Sequence, residues 1–182
     1  MNNTLPLKFA KLGCAVLLGV LPILGQEHKW AGRTLDATEW RIHEELAMLP
    51  FHGVFDTLGF ELRDKTVILS GHVVRETVKT NAERVIKRLD GIENVVNQIE
   101  VLPSSRQDDA IRMQVYRAIY KSPPLEQYGT RALPPIHIIV KDGAVTLEGV
   151  VDSDADRSTA YLRALKAAHH VTNNLRVVTP QE

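Results

Sequence analysis

The amino-acid sequence predicts an α+β protein made of two tandem α-β-β-α-β two-layer sandwiches, each a three-stranded mixed sheet with two helices. Three observations predict it. The chain repeats: Val67-Ile68-Leu69-Ser70-Gly71-His72-Val73 aligns with Val145-Thr146-Leu147-Glu148-Gly149-Val150-Val151 at a shift of 78. A second match, Val95 to Val101 with Val171 to Val177, has a shift of 76, so two residues are missing before the last strand of the second copy. The periodicity changes in the same order in both copies, and Pro103-Ser104-Ser105-Arg106-Gln107 between them has the composition of a linker.

In the first copy, Ile42, Leu46 and Leu49 recur at helical spacing from about Thr38 to Leu49, and Pro50 marks the stop. Gly59 to Arg63 and Thr66 to Ser70 alternate as strands around an Asp64-Lys65 turn. Val78, Ala82, Val85, Ile86 and Leu89 then form the cleanest amphipathic stripe in the chain, closed by Asp90-Gly91. Val95, Asn97, Ile99 and Val101 end the copy as one strand. In the second copy, Ile111, Val115, Ala118 and Ile119 are the expected core side of the first helix, which Pro123-Pro124 ends. A loop over Leu125 to Pro135 precedes the strand Ile136 to Val140, and Asp142-Gly143 is a strong hairpin turn. The last helix runs from about Asp154 to Ala168, with Ala160, Ala164, Leu165 and Ala168 on one side and Asp152, Ser153 or Asp154 as its cap. The second and third strands of each copy, joined through a helix, should run parallel.

Residues 1–25 read as an export signal: Lys8 and Lys11 precede a short apolar stretch, Leu12 to Leu24, and Gly25 suits a small-residue cleavage site. An uncleaved interfacial or core helix is the alternative. Cys14 is the single cysteine, so no internal disulfide can form. Leu12-Gly13-Cys14 resembles the end of a lipobox, yet the apolar run mostly follows Cys14 and Lys11 stands where a lipobox has Leu. The expected division is a signal (1–25), an N-terminal linker (26–35), a first module (36–103), a linker (104–107), a second module (108–178) and a tail (179–182).

Composition narrows the function. The 182 residues carry 22 Lys+Arg against 22 Asp+Glu, which argues against a cationic face for nucleic acid. Hydrophobic residues at 44% and charged residues at 24% are globular usage, and no apolar run reaches the length of a membrane-spanning helix. No metalloprotease helix, nucleophile elbow or phosphate-binding loop is visible, so no enzyme, cofactor or metal is expected. His169-His170 reads as a surface helix end, because adjacent residues on a helix point about 100° apart and cannot easily share one ion. Asp152, Asp154 and Asp156 lack the glycine and distal Glu of a calcium loop and read as helix N-terminal acids.

Val140-Lys141-Asp142-Gly143-Ala144-Val145-Thr146-Leu147-Glu148-Gly149-Val150-Val151, followed by Ala160 and the strand Val171 to Val177, resembles the central signature of the BON domain, a family named for bacterial osmotically inducible and nodulation proteins. The first copy resembles it less closely, keeping Gly71, Ala82 and Gly91 but not the Asp-Gly turn. The resemblance covers residues 36–178. It implies a periplasmic or outer-membrane-associated protein that binds phospholipid surfaces and helps preserve envelope integrity under stress, osmotic stress included. With no catalytic motif visible, a non-enzymatic periplasmic protein, peripheral on a membrane if bound to one, is expected.

For contact with lipid, the expected strip is the first helix of the second copy. Placing Ile111 and Val115 toward the core puts Met113, Tyr116 and Tyr120 on the other side, flanked by Arg112 and Arg117 and followed by Lys121. Residues 36–103 carry 8 basic and 12 acidic side chains, net −4, whereas residues 106–182 carry 10 and 9, net +1. The expected partner is an anionic phospholipid surface. The alternative is a protein-docking module for an envelope assembly, using exposed strand edges or Trp30 and Trp40. The sequence leaves the docking of the two copies and the oligomeric state open.

Overall fold

A computed structural model describes residues 28–30, 33–121, 123–131 and 133–178. The expected signal segment, with Cys14, lies outside them. The stretch expected as an N-terminal linker contains an antiparallel hairpin, β1 (His28–Trp30) and β2 (Arg33–Leu35).

The first module follows. Helix α1 (Ala37–Ala47) starts from Asp36, whose carboxylate accepts from Glu39 N at 2.8 Å while Glu39 Oε2 accepts from Asp36 N at 3.1 Å. This reciprocal cap satisfies two of the backbone donors that a helix start leaves open. Strands β3 (Thr57–Arg63) and β4 (Thr66–Val73) form the hairpin, and α2 (Glu76–Ile86) carries the chain back to β5 (Asn94–Asn97) and β6 (Glu100–Val101), both parallel to β4. The second module repeats this order with α3 (Arg106–Tyr120), β7 (Ile136–Lys141), β8 (Ala144–Val151), α4 (Asp154–Ala167) and β9 (His170–Val177). Its sheet order is β7-β8-β9, with β8 and β9 parallel. The segment expected as a loop holds a 3-10 helix, Leu125–Thr130, because Leu125 and Tyr128 turn into the core and are fully buried.

Each module has its own core. Ile42, Leu46, Val67, Leu69, Val78, Ala82, Ile86 and Ile99 fill the first; Val115, Ile119, Ile138, Leu147, Ala160, Ala164 and Leu175 fill the second. Ala82 and Ala160 occupy equivalent buried sites where a helix crosses its sheet. Leu165 departs from expectation: it is 39% exposed, because the inward stripe of α4 is narrow and holds only Ala160 and Ala164.

Repeated polar residues also have structural work. Asn97 Oδ1 accepts from Ile99 N at 3.1 Å and its Nδ2 donates to Lys79 O at 3.1 Å; Asn173 does the same with Leu175 N at 3.2 Å and Arg157 O at 3.3 Å. One amide thus ties the last strand to the preceding helix in both copies. In the first copy the strand expected over Val95 to Val101 is split at Gln98-Ile99, where the side chain of Asn97 takes the N–H of Ile99. Gly71 and Gly149 have φ of +117° and +118°, and a Cβ there would stand 2.2 Å from Thr57 O and 1.9 Å from Pro135 O. The paired strand's backbone passes too close for any side chain.

The modules dock. The loop between α1 and β3 reaches across, so that Val54 O accepts from Ile138 N at 2.8 Å on the outer edge of β7. Val54 and Phe55 pack against the second core, and Phe55 meets Tyr116 edge-on with centroids 6.1 Å apart. Thr57 Oγ1 donates to Glu148 Oε2 at 3.1 Å, and Lys141 Nζ pairs with Glu100 at 2.6 Å. Asp56 fastens the loop: its buried carboxylate accepts from Gly53 N at 3.0 Å and Val74 N at 2.7 Å. Among the described residues no helix is long and apolar enough to cross a membrane.

Candidate functional site

Helices α3 and α4 pack side by side on one face of the second sheet. α3 starts at Ser105, whose hydroxyl accepts from Asp108 N at 3.2 Å. Val115 and Ile119 are buried as expected and Ile111 packs half-buried against the same core, but the inward stripe also takes in Asp108, Arg112 and Tyr120. The helix is therefore turned somewhat toward its Asp108–Arg112 edge from the expected placement.

Polar anchors cause that turn. Arg112 is 2% exposed; its Nη2 donates to Val140 O at 2.7 Å and its Nη1 pairs with Asp109 at 2.6 Å. The buried carboxylate of Asp108 accepts from Asp142 N at 3.2 Å and Gly143 N at 2.9 Å, so it caps the hairpin in which Asp142 and Gly143 both have positive φ. Tyr120 is also buried: its hydroxyl donates to Ile136 O at 2.5 Å and accepts from Ile136 N at 3.1 Å. Burial pushes its ionisation well above the ordinary tyrosine range. Arg112 and Tyr120 are thus withdrawn from the expected surface strip, and Tyr116 is half-buried between Phe55 and Tyr120.

Met113, Arg117 and Lys121 do reach solvent. With Arg106 they form an outward row at helical spacing. α4 adds Leu162 (59% exposed), Leu165 and Lys166. Arg163 Nη2 donates to Pro123 O at 3.5 Å, which ties α4 to the segment just after α3. Among the described residues, Arg106, Arg117, Lys121 and Lys166 make no ion pair. The result is an apolar-and-cationic side.

The other singled-out residues are structural or peripheral. Ser153, not a neighbouring aspartate, caps α4, and Asp156 Oδ2 accepts from Ser153 Oγ at 2.8 Å and Tyr128 Oη at 2.9 Å. Desolvation pushes the Tyr128 phenol up to about 12. His169 and His170 are exposed but lie past the end of α4, with His170 opening β9, so the expected helix-end placement is corrected. Gly91 sits in the turn after α2 at φ +90°. Trp40 is half-buried and stacks on His43 at 5.3 Å. No group of three or more His, Cys, Asp or Glu among the described residues could hold a metal.

Between the modules lies a second candidate, a half-open cavity of about 530 Å³. Leu46, Leu58 and Phe60 of the first module and Pro135 and Val150 of the second form its apolar walls. His43, His52, His137, Glu148 and Arg176 also line it. His52 and His137, one from each module, stack with centroids 6.0 Å apart and planes at 10°. Burial holds both imidazoles below the ordinary histidine value. The sequence carried no signal for this pairing, since the two histidines are 85 residues apart and follow no motif.

A family model described as the BON domain matches residues 61–103 and 107–179. No curated protein sequence matches the chain. Among solved structures, the chain is similar to the C-terminal domain of CdsD, the structural protein of the type III secretion system of Chlamydia trachomatis, at 15% identity and a TM-score of 0.28. That alignment covers 75% of this chain and 62% of the other. A second structure of CdsD from the same organism aligns at 13% identity and a TM-score of 0.26, covering 78% of this chain and 91% of that one.

Proposed function

The chain belongs to the BON domain family, and from that premise we propose that it is a non-enzymatic protein of the bacterial envelope that binds anionic phospholipid surfaces and helps preserve the envelope under stress. The contact is the outward side of the second module. One observation carries this reading: on the packed pair α3 and α4, Met113, Leu162 and Leu165 are exposed, as are Arg106, Arg117, Lys121 and Lys166, none of which pairs with a carboxylate among the described residues. Apolar side chains of this kind enter the boundary between headgroups and acyl chains, and each cation near the surface adds about 1 kcal/mol of attraction to anionic lipid.

The reading keeps Met113, Arg117 and Lys121 from the strip expected from sequence and replaces the buried Arg112 and Tyr120 with residues of α4. Co-sedimentation with phosphatidylglycerol vesicles tests it. Arg117→Glu/Lys121→Glu should weaken binding on the order of thirtyfold or more, since two attractions of about 1 kcal/mol each are lost before any repulsion is counted. Binding to phosphatidylcholine vesicles should be weak throughout. Undiminished binding of the variant to anionic vesicles would remove this surface, and a partner captured without lipid would favour a docking role.

A further inference from the structure

The module seam is built around a pair of groups that change charge in mildly acidic water. His52 comes from the loop that reaches across, and His137 from the edge strand it reaches. Among the described residues, neither ring nitrogen of His52 nor Nδ1 of His137 has a partner in hydrogen-bond geometry. The carbonyls of Leu46 and Ala47 stand near the first ring, and those of Gly53 and Asp56 near the second. A neutral pair fits this half-buried setting. A charged pair would place two cations with ring centroids 6.0 Å apart, partly withdrawn from solvent.

The facing charges are mixed. Asp56 faces both rings, but its oxygens are already held by Gly53 N and Val74 N. Glu148 on β8 faces His137 while holding Thr57. His43 on α1, beside Glu44, and Arg176 on β9 line the same cavity. His72, Glu100 and Lys141 form a separate cluster, with Glu100 3.6 Å from His72 and 2.6 Å from Lys141. The carboxylates favour protonation of the rings, yet for both rings burial outweighs them.

We infer that the seam is an acid-released clamp: the modules stay docked while His52 and His137 are neutral and part when the pair takes up protons. The sign follows from linkage. Because docking depresses the proton affinity of both rings, the parted form binds protons more tightly. Docking is at full strength above the ordinary histidine value of 6.5 and weakens as pH falls through it. Parting frees Val54 from β7 and opens the cavity walls Leu46, Leu58, Phe60, Pro135 and Val150.

The amide of Ile138 reports on the clamp, because its bond to Val54 O exists only across the seam. Amide hydrogen exchange of the full chain, corrected for the intrinsic rate, should show Ile138 losing protection, on the order of severalfold or more, between about pH 7.5 and pH 5, as both rings take up protons in the parted form. Amides of the β8–β9 ladder should keep theirs. In His52→Gln/His137→Gln, Ile138 protection should be flat over the same range. A flat profile in the unaltered chain, or an undiminished slope in the double variant, overturns the inference. Should the double variant not fold, His52→Gln alone must reduce the slope. Imidazole NMR titration of the unaltered chain is an independent test: both rings becoming charged while Ile138 stays protected defeats the clamp.

Discussion

Arg112 separates composition from role. Its charge and its place beside Met113 suggest a lipid contact, yet its guanidinium is spent on Val140 O and Asp109. Arg112→Leu should destabilise the fold by about 1–3 kcal/mol in chemical denaturation, the usual cost of orphaning a buried partner, and leave vesicle binding by the folded fraction unchanged. Gly149→Ala should cost at least about 2 kcal/mol, because a strained φ and a collision with Pro135 O coincide. Gly71 and Gly149 were legible as glycines repeated at one strand position; the reason for them, the neighbouring backbone at Thr57 and Pro135, was not. Asp56, Asp108 and Arg112 were not legible, because their partners, Val74, Asp142 and Val140, are respectively 18, 34 and 28 residues away, and no local pattern encodes such distances.

Among the elements, the strands and helices could be read from periodicity, since alternation and 3.6-residue spacing are local consequences of backbone geometry. The rotation of α3 could not. Val115 and Ile119 face inward as the apolar spacing predicts, but Asp108 and Arg112 are drawn in beside them and Ile111 is left half-buried. Hydrogen bonds inside the second module, from Asp142 N and Gly143 N to Asp108 and from Arg112 to Val140 O, hold that setting. The last strands of the two copies give a further contrast. β9 pairs with β8 over eight consecutive residues, whereas β5 and β6 pair with β4 in pieces of four and two. Amides of β9 that donate to β8 should therefore exchange more slowly than those of β5 and β6 that donate to β4. Asn97→Ala and Asn173→Ala should each cost about 1–3 kcal/mol, because the first loses three hydrogen bonds, one of them to Glu83, and the second two.

At the scale of the whole molecule, two separate cores are joined by one reaching loop and a few polar contacts. The repeat foretold the two cores. It carried no information on docking, because Val54, Phe55 and Asp56 lie in the loop between the repeated elements. Asp56→Ala should loosen the junction, speeding exchange at Ile138 while the interior of each module stays protected. The cost should be about 1.5–3 kcal/mol, the scale of hydrogen bonds to a charged acceptor. The exposed Lys141–Glu100 bridge should contribute less than about 1 kcal/mol and fade with salt.

The bond from Ile138 to Val54 also sets a limit on self-association. A three-stranded sheet ordinarily offers two outer margins, and copies that join margin to margin can grow into fibres. Here the chain plugs one margin of its second sheet with its own loop. Copies joining through β9 would have nowhere further to add, so any such assembly through that sheet stops at a pair.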